Sequence, residues 1–151
     1  MTFVTGLISM GSIKPQYISR RANDDGLDLY HISTPTGSNV SEFFDSVRST
    51  LPLDPPLVSN NWDAFIDSLD SGVADLESPG AVIIWADAHN LSRVLPDDSR
   101  VAMACLARVT EHVADSDQTS RPKILSVFVN IDQGDYWADR WPYVVLSNEF
   151  L

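Results

Sequence analysis

Three aspartates, Asp63, Asp67 and Asp70, follow one another at i, i+4 and i+7 in the segment 57–71 (LVSNNWDAFIDSLDS). On a helix this spacing places them on one face, with Trp62, Phe65, Ile66 and Leu69 on the opposite, apolar face. Carboxylates grouped in this way can pair with the cations of a basic partner, or two of them can work as general acid and base. The second chemistry needs a concave pocket, which a convex helix face does not supply. The grouping also has a cost, because like charges at i, i+4 destabilise a helix by about 0.2–0.5 kcal/mol per pair. The helix dipole favours an aspartate in the first turn and opposes one in the last. Helix initiation therefore explains Asp63 but neither Asp67 nor Asp70.

The neighbouring sequence keeps the cluster to one sign. No lysine or arginine occurs between Arg48 and Arg93, an interval that holds Asp54, Asp63, Asp67, Asp70, Asp75, Glu77 and Asp87. A surface serving solubility alone mixes its signs, so the block points to a patch aimed at a basic partner. The whole chain leans the same way: 10 Lys and Arg stand against 21 Asp and Glu in 151 residues, a formal net charge of -11. Such a charge repels nucleic-acid phosphates and anionic membranes, and it speeds encounter with basic surfaces. Direct binding to nucleic acid or to a membrane is not expected.

The remaining reactive residue types form no recognisable site. His31, His89 and His112 match no metal spacing such as HExxH, and Asp132, Asp135 and Asp139 lack the EF-hand pattern. There is no P-loop and no GxGxxG. No metal, cofactor or catalytic activity is expected. Cys105 is the single cysteine, which excludes an internal disulfide and suits a reducing compartment. It falls on an apolar helix stripe, as a small buried hydrophobe would. Residues Met1–Met10 carry no positive n-region and no small-residue cleavage site. No apolar run approaches the roughly 20 residues of a membrane helix. The expected location is the cytoplasm, and nothing demands an oligomer, so a free monomer is expected.

The elements that would position the acidic helix follow from patterning. Leu27–Ile32 (LDLYHI) alternates as a strand, and Ser33–Ser38 is a loop broken by Pro35 and Gly37. Asn39 can cap a helix with Glu42 three residues on, placing Val40, Phe44, Val47 and Leu51 on one face. Pro52, Pro55 and Pro56 end it. Ser59, Asn60 or Asn61 can cap the acidic helix, and Gly72 is its expected stop. Ala81–Trp85 (AVIIW) has the continuous apolar character of a buried strand, and Asp87–Leu91 forms a helical turn. A long helix starts at Asp97, Asp98 or Ser99 and runs to about Ala114, with Val101, Cys105, Val109 and Val113 along one face. Lys123–Asn130 is a further strand. Strands joined through helices imply an α/β fold: a small three-stranded, or slightly larger, mainly parallel sheet packed with helices. Residues 1–26 are read as an N-terminal extension in which Phe3–Met10 can be a strand and Ser19–Gly26 is turn-like. Residues 131–151 form a C-terminal extension on the same domain, with Tyr136, Trp137, Trp141 and Tyr143 among acids and one more strand at Tyr143–Leu146. It either caps the sheet or adds binding surface.

The run Asn61, Trp62, Asp63, Ala64, Phe65, Ile66 and Asp67 resembles, position by position, the central motif of barstar-like ribonuclease inhibitors. That motif reads Asn, apolar, Asp, Ala, large apolar, apolar, Asp. AVIIWADAHNL (81–91) resembles the family's second strand and connector. LARVTEHVA (106–114) resembles its later helix, with Glu111 at an acidic position, and residues 124–130 fit the last strand. The resemblance covers 27–130 and implies a barstar-like domain there. It also implies that the acidic helix and the loop before it enter the basic active site of a ribonuclease or nuclease-type toxin. There the carboxylates take the positions of RNA phosphates. On this resemblance Asp67 is the principal plug, Asp63 assists and Glu111 contributes at the rim, with Asn61, Asp70, Leu57 and Ser59 completing the partner-binding set. The family commonly has one or two aromatics and a Gly where this chain has Leu57, Val58 and Ser59. The expected function is that of an intracellular inhibitor or immunity protein. The alternative is a barstar-like interaction module for a different basic toxin or regulatory partner.

Overall fold

The computed structural model describes residues 2–115 and 121–131 and the backbone of 144–145. In chain order its elements are β1 (Gly6–Ser9), α1 (Pro15–Asp24), β2 (Asp28–His31), α2 (Val40–Thr50), α3 (Trp62–Ala74), β3 (Gly80–Trp85), α4 (Ala88–Val94), α5 (Pro96–Ala114), β4 (Ile124–Val129) and β5 (Val144–Val145). The strands form one sheet in the order β2-β3-β4-β1-β5, and every pairing is parallel.

Handedness dictates how the helices are layered. Parallel strands need crossovers, and these are right-handed. From β1 the chain crosses to β2 at the far edge, then comes back through β3 to β4. Opposite directions of travel with one handedness place α1 on one face and the later helices on the other. Strand residues alternate to match. Leu7, Ala81, Ile83, Trp85, Leu125, Val127 and Val129 enter the larger core with residues of α2, α3 and α5. Ile8, Val82, Ile84 and Phe128 enter a second core with Ile18 and Ala22 of α1. Burial on both faces is why AVIIW is apolar without alternation.

Three local expectations are corrected. Ser19–Gly26 is helical through Asp24, not turn-like. Pro15 pre-sets the first turn of α1, and Ile18 and Ala22, four residues apart, are its only buried residues. An otherwise polar helix held by two contacts carries little periodic signal. Gly72 does not stop α3, which continues to Ala74. It lies where the helix meets the chain leaving α2, and a Cβ there would stand 1.5 Å from the carbonyl oxygen of Pro52. Val101 leaves the buried stripe of α5 and is exposed, whereas Cys105, Val109 and Val113 are buried. The segment 1–26 adds β1 inside the sheet, between β4 and β5, and α1 over its second face. Val144 and Val145 pair with Leu7 and Ile8, within the strand expected at Tyr143–Leu146. The acids and aromatics Asp132, Asp135, Tyr136, Trp137, Asp139 and Trp141 lie outside the described residues.

Candidate functional site

The acidic helix is set by its cap and by an aromatic cluster. Of the three candidate caps, Asn61 is used: its side chain accepts from Ala64 N at 2.9 Å. Trp62 then packs 4.7 Å from Phe44, ring centre to ring centre, and Phe65 packs 5.9 Å from Phe43. Phe43 in turn lies 5.2 Å from Trp85 of β3. Edge-on and tilted pairs of this kind favour a fixed geometry. Asn60 Nδ2 donates to Ser41 Oγ at the start of α2, at 3.1 Å. Pro52, just beyond α2, abuts Gly72 near the end of α3. The two helices therefore run parallel, and residues 52–60 return along them. A second relation fixes α5. Asp63 acts electrostatically on Cys105, and Asp70 Oδ2 is hydrogen-bonded to His112 Nδ1 at 2.8 Å. The separation is seven residues on each helix, so α3 and α5 also run parallel.

This frame divides the acidic block. Asp63 and Asp67 are exposed on α3, and among the described residues neither forms a hydrogen bond or an ion pair. Asp70 shares their side of the helix by spacing, but α5 covers it. It is half-buried, bonded to His112, and its Oδ1 is buried with no hydrogen-bond partner. Burial pushes its pKa up, outweighing the His112 contact that pulls it down; Asp67 adds to the rise and Arg108 opposes it. Asp54 and Asp75 meet beside the last turn of α3. Their shared hydrogen bond, with smaller help from desolvation and repulsion, raises the pKa of Asp54. Asp87 is occupied elsewhere, accepting from Thr34 N at 2.9 Å and Ser33 Oγ at 3.2 Å. Of the seven acids, Asp63 and Asp67 combine exposure with a place in the first two turns of the capped helix.

The other expected contacts are spread around this pair. Glu111 is exposed on α5, next to the His112 that binds Asp70. Ser59 is exposed, whereas Leu57 is turned into the core at 6% exposure. Val58 is the side chain that the loop presents, at 94% exposure. Cys105 is buried, and its thiol is pushed up to about 11, first by burial and then by Asp63, with Arg108 opposing. A thiol so protonated is a poor nucleophile. Among the described residues no three His, Cys, Asp or Glu side chains group in a way that could hold a metal ion. Nor is any described helix long and apolar enough to cross a membrane.

The family model for Barstar (barnase inhibitor) matches residues 27–126. The chain belongs to the barstar family. No curated protein and no solved structure matches it. The matched range starts after α1 and ends inside β4, so it contains α2, the loop, α3 and α5. In this barstar-family chain β1 and α1 lie outside the matched range. Sequence reasoning missed two supports of the candidate site: His112, weighed there only as a metal ligand, and Arg48. The partners of His112 and Arg48 lie 42 and 12 residues away, at Asp70 and Asn60, and no local pattern reports pairs at such distances.

Proposed function

We propose that this chain is a cytoplasmic inhibitor, or immunity protein, of a ribonuclease or nuclease-type toxin, and acts as a monomer by blocking its partner's basic active site. Membership of the barstar family supports the nuclease partner. The single observation that carries the site is the exposure of Asp63 and Asp67, unpaired among the described residues, in the first two turns of a capped helix fixed by aromatic packing. In the complex Asp67 enters the cleft as a phosphate surrogate, Asp63 supports it, and Glu111 meets basic residues at the rim. Asn61 holds the helix start, and Asp70 steadies α3 against α5. The mechanism is steric blockade with charge complementarity, and it needs no turnover by the inhibitor.

The test is a titration of barnase and other small guanyl-specific ribonucleases, following RNA cleavage. Loss of activity at one-to-one stoichiometry, weakened by added salt, is expected. Asp67→Ala should weaken the complex by about 2 kcal/mol or more, as truncating one member of a desolvated charge pair does. Asp24→Ala, an exposed acid on α1 across the sheet, should change it little. Equal effects of the two substitutions would remove the site assignment. The loop favours a second reading, since Leu57 points inward and Val58 replaces any aromatic contact. On that reading the partner is a different basic toxin or regulatory protein, and capture from the native host with mass spectrometry would find it where the ribonucleases are not inhibited.

A further inference from the structure

The segment Leu57–Asn60 leads into α3 without secondary structure of its own. Among the described residues, the one backbone–backbone hydrogen bond within 52–60 runs from Asp54 N to Ser68 O. The loop is nevertheless fastened at both ends, and by one side chain. Arg48 Nε donates to the carbonyl oxygen of Leu57 at 3.0 Å. Its Nη2 donates to Asn60 Oδ1, and its Nη1 donates to Asp45 Oδ1 at 3.2 Å. The guanidinium carbon stands 5.8 Å from the centre of the Phe44 ring. Asn60 passes the restraint on by donating to Ser41 Oγ. The planar fork of arginine suits two acceptors at fixed separation, and a lysine ammonium has no such fork. With Leu57 buried and Asn60 bonded, Val58 and Ser59 are the residues left projecting.

We infer that Arg48 is a positioning residue that splints Leu57–Asn60, so that Val58 is held out ahead of the acidic helix as an apolar contact for the partner. The partner half of this inference rests on the proposed function. It identifies the partner as a protein whose basic cleft is flanked by a small apolar seat, sized for a branched aliphatic side chain. A loop fixed before encounter loses less freedom on binding than one ordered by the partner. The splint also settles a conflict of charge. An arginine at the mouth of a surface built for a basic enzyme would repel it, and here the cation is turned onto a carbonyl, an amide oxygen and Asp45.

Two measurements decide the matter. The first is the backbone order of residues 58–60 in the uncomplexed chain, from amide nitrogen relaxation. Unaltered protein should give values near those of the helices, roughly 0.85, and Arg48→Ala should drop them below about 0.6. Arg48→Lys should not restore them, although the midpoint of thermal unfolding should stay close to the parent's. Should Arg48→Ala fail to fold, Asn60→Ala breaks one end of the splint and should loosen 58–60 alone. Unchanged order in a folded variant overturns the splint. The second is titration against barnase. Val58→Asp and Arg48→Ala should each weaken the complex tenfold or more, whereas Val58→Ile should not. If Asp67→Ala weakens the complex and Val58→Asp does not, the apolar contact is wrong. If Asp67→Ala also has no effect, the proposed function is what fails, and the order parameters still decide the splint.

Discussion

Asp70 experiences the opposite environment from Asp63 and Asp67, although spacing puts all three on one side of α3. Its carboxylate is half-covered by α5, one oxygen meets His112 and the other meets nothing. Burial raises its pKa above the ordinary value of 3.8. The folded chain therefore holds this proton more tightly than the unfolded chain. The contribution of Asp70 to stability is greatest below 3.8 and is lost as pH rises through its raised folded value. Asp70→Asn cannot ionise and should escape that loss. Its unfolding midpoint, compared with the parent's at about pH 4 and pH 7, should improve with rising pH. A constant difference for Asp70→Asn would mean that burial does not govern this carboxylate. The spacing rule located the candidate residues but could not say which would face water. That depended on His112, 42 residues away.

Elements announced by caps and strong stripes were legible in the sequence, and those held by few contacts were not. Asn39 caps α2 by accepting from Glu42 N, as its spacing suggested, and Asn61 caps α3 in the same way. The buried strands β3 and β4 stand out because both faces are covered. In α1 only Ile18 and Ala22 are buried, so its sequence resembles a polar turn. The residue type of Gly72 suggests a helix stop, whereas its role comes from tertiary contact. The carbonyl of Pro52 occupies the space a side chain would need, which lets the chain leaving α2 press against α3. Gly72→Ala improves helix propensity by about 1 kcal/mol, yet it must push backbone away from backbone. Overpacking of this kind costs about 1–3 kcal/mol or more, and a carbonyl cannot swing aside as a side-chain tip can. Net destabilisation of about 2 kcal/mol is expected in denaturant unfolding. A neutral or stabilising outcome would show that residues 52–60 move without cost, and would weaken the case for a fixed loop.

At the scale of the whole molecule, the family match and the sheet have different boundaries. The matched residues 27–126 hold the acidic helix and its supports, but their sheet has two apolar faces. Val82 and Ile84 of β3 and Phe128 of β4 are fully buried against α1, Ile8 and Phe3. Removing residues 1–26 would expose these side chains and strip β4 of its pairing with Gly6–Ser9. Each large aliphatic or aromatic side chain loses about 1.5–3 kcal/mol when its burial is undone. Three of them approach the 5–15 kcal/mol or so that stabilises a typical domain. The freed edge of β4 would also offer an unpaired strand to other chains. A fragment beginning at Leu27 should therefore bind a hydrophobic dye, associate as concentration rises and lose cooperative unfolding, even though every residue of the acidic site is present. The net charge of -11 does not protect it, because the acids Asp63, Asp67 and Glu111 lie on helices over the other face. A fragment that unfolds cooperatively as a soluble monomer would show instead that β1 and α1 are an addition the family-matched core can do without.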